Sequence, residues 1–247
     1  MALILISNDD GIDALGLKVL RETVEGLGHV IVFAPEGNRS GSSHSLSIHK
    51  SIKVKKIDNN TYSTDGTPTD CILYSVRGIL KSKPDIILAG INQGANLGSD
   101  VSYSGTVAVA LEGTLLGVPS LAFSQIDFYH SFRPEFARKV VNWITRQVLK
   151  DKLPEGVFLN VNLPPAPNGK IKITCLGNRV YRDEIIKVKE EKEEFTYSLD
   201  GESPTWVSSP NSDFDAVHDG FVSITPIHME YTDFDMIEKL RRWEEVY

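Results

Sequence analysis

A chain of 247 residues, 41% hydrophobic and 24% charged, has the composition of a globular protein and is long enough to bury a large core. Lys and Arg number 26 against 33 Asp and Glu, and the net charge of -7 argues against a binder of long nucleic acids, whose backbone demands a basic surface. No apolar run approaches the roughly 20 residues of a membrane-spanning helix, and Cys71 and Cys175 are too few and too far apart for a disulfide framework or a zinc motif.

The chain enters a strand at once, without the basic region, apolar stretch and cleavage site of a signal peptide, so a cytoplasmic protein is expected. The unbroken apolar run Ala2 to Ile6 reads as a strand buried on both faces, as in a parallel sheet, and leads into Asn8-Asp9-Asp10-Gly11. Leu17, Leu20, Val24 and Leu27 predict a helix over Leu15 to Leu27, ending at Gly28. His29 to Ala34 is a second strand, stopped by Pro35, and Leu46 to Ile57 alternates as a strand or part of a hairpin. Thr67 is placed to cap a helix with Pro68 in its first turn and Asp70 completing a capping box. Asp85 to Ala89 and Pro119 to Ser124 are further buried strands, flanking a helix that Ser104-Gly105-Thr106 opens and whose apolar circumference requires burial. Pro134 to Lys150 is an amphipathic surface helix.

Residues 1–150 thus read as a doubly wound, mostly parallel α/β domain of Rossmann-like type. Residues 151–247 change character to a β-rich extension: Phe158 to Leu163 as a strand, β-rich stretches at Ile171 to Cys175 and Ile185 to Lys189, a charged hairpin arm in KVKEEKEEF, a strand from Phe221 to Thr225 ended by Pro226, and a terminal helix from Phe234 to Val246 with Ile237, Leu240 and Trp243 on one stripe.

Ligands of open α/β sheets sit outside the carboxyl ends of the strands. Three polar loops are predicted there: the one with Asp9 and Asp10, the one with Ser40 and His44, and the one with Asn92 and Asn96. Each alone also reads as a turn, a flexible connection or a run of residues tolerant of positive φ. Together they place hydroxyl, amide and carboxylate oxygens in one crevice, a donor set for magnesium or manganese. Ser104 suits a helix cap, and the free amides of Gly105 and Thr106 suit an anion, with glycine leaving room for a phosphate. His228, after a strand end, is a weaker candidate.

ILISNDDGIDALGL, APEGNRSGSSHSL, TDGTPTDC, AGINQGANLGSDVSYSGTVAVALEG and AVHDGFVSITPIH, in that order, resemble the SurE family of survival-protein nucleotidases. The resemblance implies a divalent-metal-dependent phosphatase of nucleoside 5′- and 3′-monophosphates and of short polyphosphate. It maps one metal ion onto Asp9, Asp10, Ser40 and Asn92, and phosphate binding onto Asn96, Ser104, Gly105 and Thr106. It also implies a homodimer or homotetramer that exchanges an arm and a terminal helix. Ala95 and Tyr103 depart from the family pattern, where Pro and His are frequent; neither removes a ligand, and the second bears on substrate preference.

The expected chemistry is metal-assisted hydrolysis of a phosphomonoester, with Asp9 or Asp10 taking the proton of the attacking water. An aspartyl-nucleophile phosphatase of the haloacid-dehalogenase kind resembles an Asp-x-Asp arrangement, whereas Asp9 and Asp10 are adjacent. A receiver-type signalling module needs an acceptor Asp after the third strand, where this chain has Asn92. A passive nucleotide-binding protein would share the same seat without hydrolysis.

Overall fold

A computed structural model describes residues 1–180, 183–201, 205–228 and 230–246. Its centre is a nine-stranded sheet. The strands are β1 (Ala2–Ser7), β2 (Gly28–Pro35), β3 (Val54–Lys56), β4 (Thr61–Thr64), β5 (Ile86–Asn92), β6 (Ser120–Gln125), β7 (Val157–Leu163), β8 (Ile171–Ile173) and β13 (Val222–His228), in the order β3-β4-β2-β1-β5-β6-β7-β13-β8. The run from β4 to β7 is parallel, and the sheet continues past residue 150 through β7, β13 and β8. The chain winds outward from β1 to β2 in one direction and to β5 in the other. This switch point opens a crevice at the carboxyl ends of β1 and β5.

Burial on both faces explains the unbroken apolar strands. Ile4 and Ile6 join a core under α1 (Leu15–Val24) and α5 (Pro134–Asp151), while Leu5 joins the opposite core under α2 (Pro68–Tyr74) and α3 (Gly105–Leu115). Every residue of α3 from Gly105 to Thr114 is buried, as its apolar circumference requires. Thr67 and Asp70 form the expected capping box of α2, with Thr67 Oγ1 accepting from Asp70 N at 3.0 Å and Asp70 Oδ2 accepting from Thr67 N at 2.9 Å.

Several boundaries differ from the sequence reading. The first helix stops at Val24, three residues before Leu27. Of Leu46 to Ile57 only β3 is a strand; upstream of it Ser47 donates twice to Asp70, which holds the segment to α2 instead of to the sheet. β5 extends to Asn92, so Asn92 ends a strand and does not lie in a loop. Pro226 does not end its strand: β13 runs on to His228, because β8 pairs only with Val222 to Ile224 and the side of Pro226 away from β7 requires no N–H donor. One-turn α4 (Phe128–Ser131) and α6 (Asp213–His218) were not anticipated.

The charged arm is a hairpin of β10 (Asp183–Glu191) and β11 (Glu194–Gly201), carried on a short pair of β9 (Asn178–Val180) with β12 (Thr205–Val207). Its charges pair locally, Lys187 with Glu190 and Lys189 with Glu191. The chain ends in α7 (Phe234–Leu240), which tightens to a 3₁₀ turn over Arg241–Val246. The three-residue spacing of Ile237, Leu240 and Trp243 matches that tighter turn better than an unbroken α-helix.

Candidate functional site

Each loop at the switch point is built from local bonds and then knitted to its neighbours. After β1, Asn8 Nδ2 donates to Gly11 O at 2.9 Å and Gly11 N donates back to Asn8 Oδ1 at 3.3 Å, a closed turn that fixes Asp9 and Asp10 between them. After β2, Asn38 Oδ1 accepts from Ser40 N at 2.7 Å, and Arg39 N reaches Asp9 O at 2.7 Å. At the end of β5, Asn92 Nδ2 donates to Gly94 O at 3.0 Å, and Gln93 N donates to Asp10 Oδ2 at 3.2 Å. Ser43 N closes the ring by donating to Tyr103 O at 3.1 Å. β5 can bend here because Gly90, at φ 117°, brings its Cα so near β6 that a Cβ would lie 2.3 Å from Phe123 O.

Asp9, Asp10, Ser40, Asn92, Asn96 and Ser104 line one cleft of about 280 Å³, with exposed Tyr103 at its rim. Asn96 is held from three sides. Its backbone N–H donates to Asn162 Oδ1 at 2.9 Å, its carbonyl accepts from Asn160 Nδ2 and Asn162 Nδ2 at 2.8 and 2.9 Å, and its Nδ2 donates to Ser124 Oγ at 2.8 Å. One Nδ2 hydrogen remains for a ligand. Ser104 Oγ caps α3 by accepting from Val107 N at 3.1 Å, which leaves its own hydrogen free to donate.

Gly105 and Thr106 differ from the expected anion seat. Their backbone N–H groups and the Thr106 hydroxyl are directed at the Asp9 carboxylate, so the positive end of α3 faces a protein anion. A Cβ on Gly105 would lie 2.7 Å from Asp9 Cβ and 2.8 Å from Ser42 Oγ. Glycine is needed there for the close approach of Asp9. The same Thr106 hydroxyl lies 3.4 Å from Asn92 Oδ1, tying the two expected metal-ligating residues to one point.

Burial raises the pKa of Asp9 above its ordinary value, opposed by the bonds from Thr106 and Gly105. Asp10 is pushed up to about 6 by burial and by the charge of Asp9, opposed by Gln93. The described lining of the cleft contains no Lys or Arg to relieve this repulsion. Ser42 Oγ, packed beside Gly105, is buried without a partner among the described residues. Two adjacent carboxylates, a hydroxyl and an amide oxygen, with no cationic side chain in the described lining, fit a hard divalent cation. Among the described residues no three His, Cys, Asp or Glu side chains cluster as a zinc-type site would.

His44 points away from the cleft: its Nε2 lies 2.9 Å from Oε2 of buried Glu112, in a separate hollow of about 390 Å³ that it shares with His228. Neither histidine lines the cleft. Asn160, Asn162 and Asp213 were missed. The two asparagines face one side of β7, so their i, i+2 spacing on an otherwise apolar strand was the available signal. Asp213 is buried and accepts from Gly98 N, Gly177 N and Phe214 N at 2.8, 2.8 and 2.9 Å, anchoring the segment that carries Asn96.

Fold and cleft together define an α/β protein of the Rossmann-like kind with an acidic, oxygen-lined site at its topological switch point. The chain belongs to the SurE family: the family described as Survival protein SurE matches residues 4–183. The 5'-nucleotidase SurE of Aquifex aeolicus is 39% identical over 250 residues, covering 99% of this chain and 99% of the relative. That of Syntrophotalea carbinolica is 38% identical over 254 residues, covering 99% and 98%. The crystal structure of the SurE protein from Aquifex aeolicus is similar with a TM-score of 0.87 and 39% identity, over 98% of this chain and 99% of that one.

Proposed function

We infer that this chain is a 5'-nucleotidase that hydrolyses nucleoside monophosphates. The carrying observation is the convergence of Asp9, Asp10, Asn92, Asn96 and Ser104 on one cleft, in a chain that matches proteins named 5'-nucleotidase SurE over nearly its whole length. A receiver-type module is not favoured, since Asn92 stands where such a module needs an acceptor carboxylate.

The SurE nucleotidase family is metal-dependent. Asp9, Asp10, Ser40 and Asn92 would hold one divalent cation, magnesium or manganese, which when bound polarises a phosphoryl oxygen and acidifies a water. Asp9, held by Thr106 and the first amides of α3, serves as the fixed anion of the site. Asp10 is the more open carboxylate, with Oδ2 accepting from Gln93 N, and takes the proton of the attacking water. The remaining Nδ2 hydrogen of Asn96 and the Ser104 hydroxyl donate to phosphoryl oxygens, stabilising charge as it develops. The family resemblance extends the substrates to 3'-monophosphates and short polyphosphate, and the assembly to a homodimer or homotetramer. No helix among the described residues is long and apolar enough to cross a membrane.

The test is phosphate release from adenosine 5'-monophosphate with magnesium or manganese, repeated in excess chelator. Activity that requires the added cation is expected; no release with any divalent cation would leave a binding protein.

A further inference from the structure

Beside the cleft lies a second cavity of about 300 Å³, on the other side of the segment that carries Asn96. The segment alternates: Ala95 and Leu97 line this cavity, and Asn96 between them lines the cleft of Asp9 and Asp10. Asp100, ion-paired with Arg179, lines both hollows, so they adjoin at its side chain.

Trp206, Phe214 and His218 make the cavity's far wall. The Trp206 and Phe214 rings stack with centroids 5.6 Å apart and planes 10° apart, and His218, one helical turn further along α6, lies tilted at 5.5 Å from the indole. The indole N–H donates to Asp215 Oδ1 at 2.9 Å, which fixes the ring's orientation. Asp213 ties α6 to the Asn96 segment through Gly98, setting the distance between aromatic wall and cleft. A fixed, partly open aromatic wall with few polar groups favours a flat heterocycle, because every nucleobase offers a π-face.

We propose that this cavity receives the nucleobase of the nucleoside monophosphate whose phosphate occupies the adjoining cleft, an assignment that rests on the nucleotidase reading above. The ribose then passes Asp100, whose carboxylate accepts from its hydroxyls. Asp100, Arg179 and His218 supply the polar side chains of the described lining, so the base is held mainly by stacking and shape. Purines, with the larger ring face, gain more than pyrimidines. Ala95, small on the opposite wall, leaves the depth that a second ring needs.

The experiment compares kcat/KM for adenosine 5'-monophosphate with that for ribose 5-phosphate, which lacks a base, in the wild type and in Trp206→Ala and Ala95→Leu. Removing the aromatic wall or filling the opposite one is expected to lower the ratio of the two about tenfold, the size of a base–aromatic stack. General damage to the fold lowers both substrates alike, so a ratio unchanged in both variants overturns the assignment. Should the wild type release no phosphate from the nucleotide, the nucleotidase reading falls, and calorimetric titration with adenosine decides the cavity alone. Adenosine binding that weakens about tenfold in Trp206→Ala upholds it; no binding, or equal binding in wild type and variant, overturns it.

Discussion

Gly105 packs directly against Asp9: a Cβ at position 105 would sit 2.7 Å from Asp9 Cβ and 2.9 Å from its Oδ2. The residue that opens α3 is therefore small for the sake of a protein carboxylate 96 positions earlier. Gly105→Ala is expected to fold and to push Asp9 out of its bond with Thr106, since a Cβ contact under 3.0 Å forces a shift. A displacement of about 1 Å at a catalytic group lowers turnover on the order of 100-fold. Steady-state kinetics with a circular-dichroism control checks it, and wild-type turnover in Gly105→Ala would contradict the packing.

Asn162 pairs with Asn96 in both directions, accepting from its N–H at 2.9 Å and donating to its carbonyl at 2.9 Å. Asn162→Ala leaves the buried Asn96 N–H without its acceptor, a loss of about 1–3 kcal/mol. That corresponds to a fall in Tm of roughly 2–4 °C per kcal/mol for a chain of this size. Catalysis should suffer beyond stability, because Asn96 is then positioned only by Asn160 and Ser124. Asn162→Asp should do as much harm, since it sets a carboxylate against the Asn96 carbonyl. Thermal melts and kcat measured on the same preparations separate the two effects.

What could be read from the sequence was local. The capping box of Thr67 and Asp70 lies within four residues, and the charged arm is one continuous run, so both were visible before any fold. The unbroken apolar runs of β1 and β5 announced burial on two faces, and with it the parallel sheet and the edge where Asp9, Asp10 and Asn92 meet. Asp213 gave no such sign, because its Gly98 partner is 115 positions away and a buried acid looks like a surface one in sequence. Pro226 was read by the local rule that proline stops a strand; that it lies beyond the reach of β8 follows only from the sheet order. Gly105 was read as room for a ligand for the same reason: the neighbour that fills the space comes from another strand end.

Asp10 ties stability to pH. Its carboxyl is pushed from an ordinary 3.8 up to about 6 by burial and by Asp9, so the folded chain keeps this proton where the unfolded chain has released it. Stability of the metal-free protein should therefore fall as pH rises from 3.8 to about 6 through this group, and change little above that. A divalent cation competes with the proton for the same carboxylate. Added magnesium or manganese should raise Tm progressively more as pH passes through this range. Melts from pH 4 to 7, with chelator and with cation, read both effects; a cation-induced shift independent of pH would remove Asp10 from the ligand set.

Among the described residues, α7 and the β10–β11 hairpin both leave large apolar side chains exposed. α7 has no buried residue, and Phe234 and Trp243 are each 62% exposed. On the hairpin, Ile185 and Leu199 stand opposite each other in register and are 74% and 70% exposed. Large apolar side chains gathered on extended elements mark a protein surface awaiting another, and exchange of identical elements is an economical way to cover them in a symmetric oligomer. Full-length protein is expected to sediment as a dimer or tetramer at micromolar concentration. Truncation after Glu230 should yield monomers or aggregates, whereas Ile185→Lys with Leu199→Lys should convert a tetramer to dimers and leave the tail contact intact. Sedimentation velocity on the three proteins distinguishes the two surfaces, and a monomeric full-length chain would deny a partner to both.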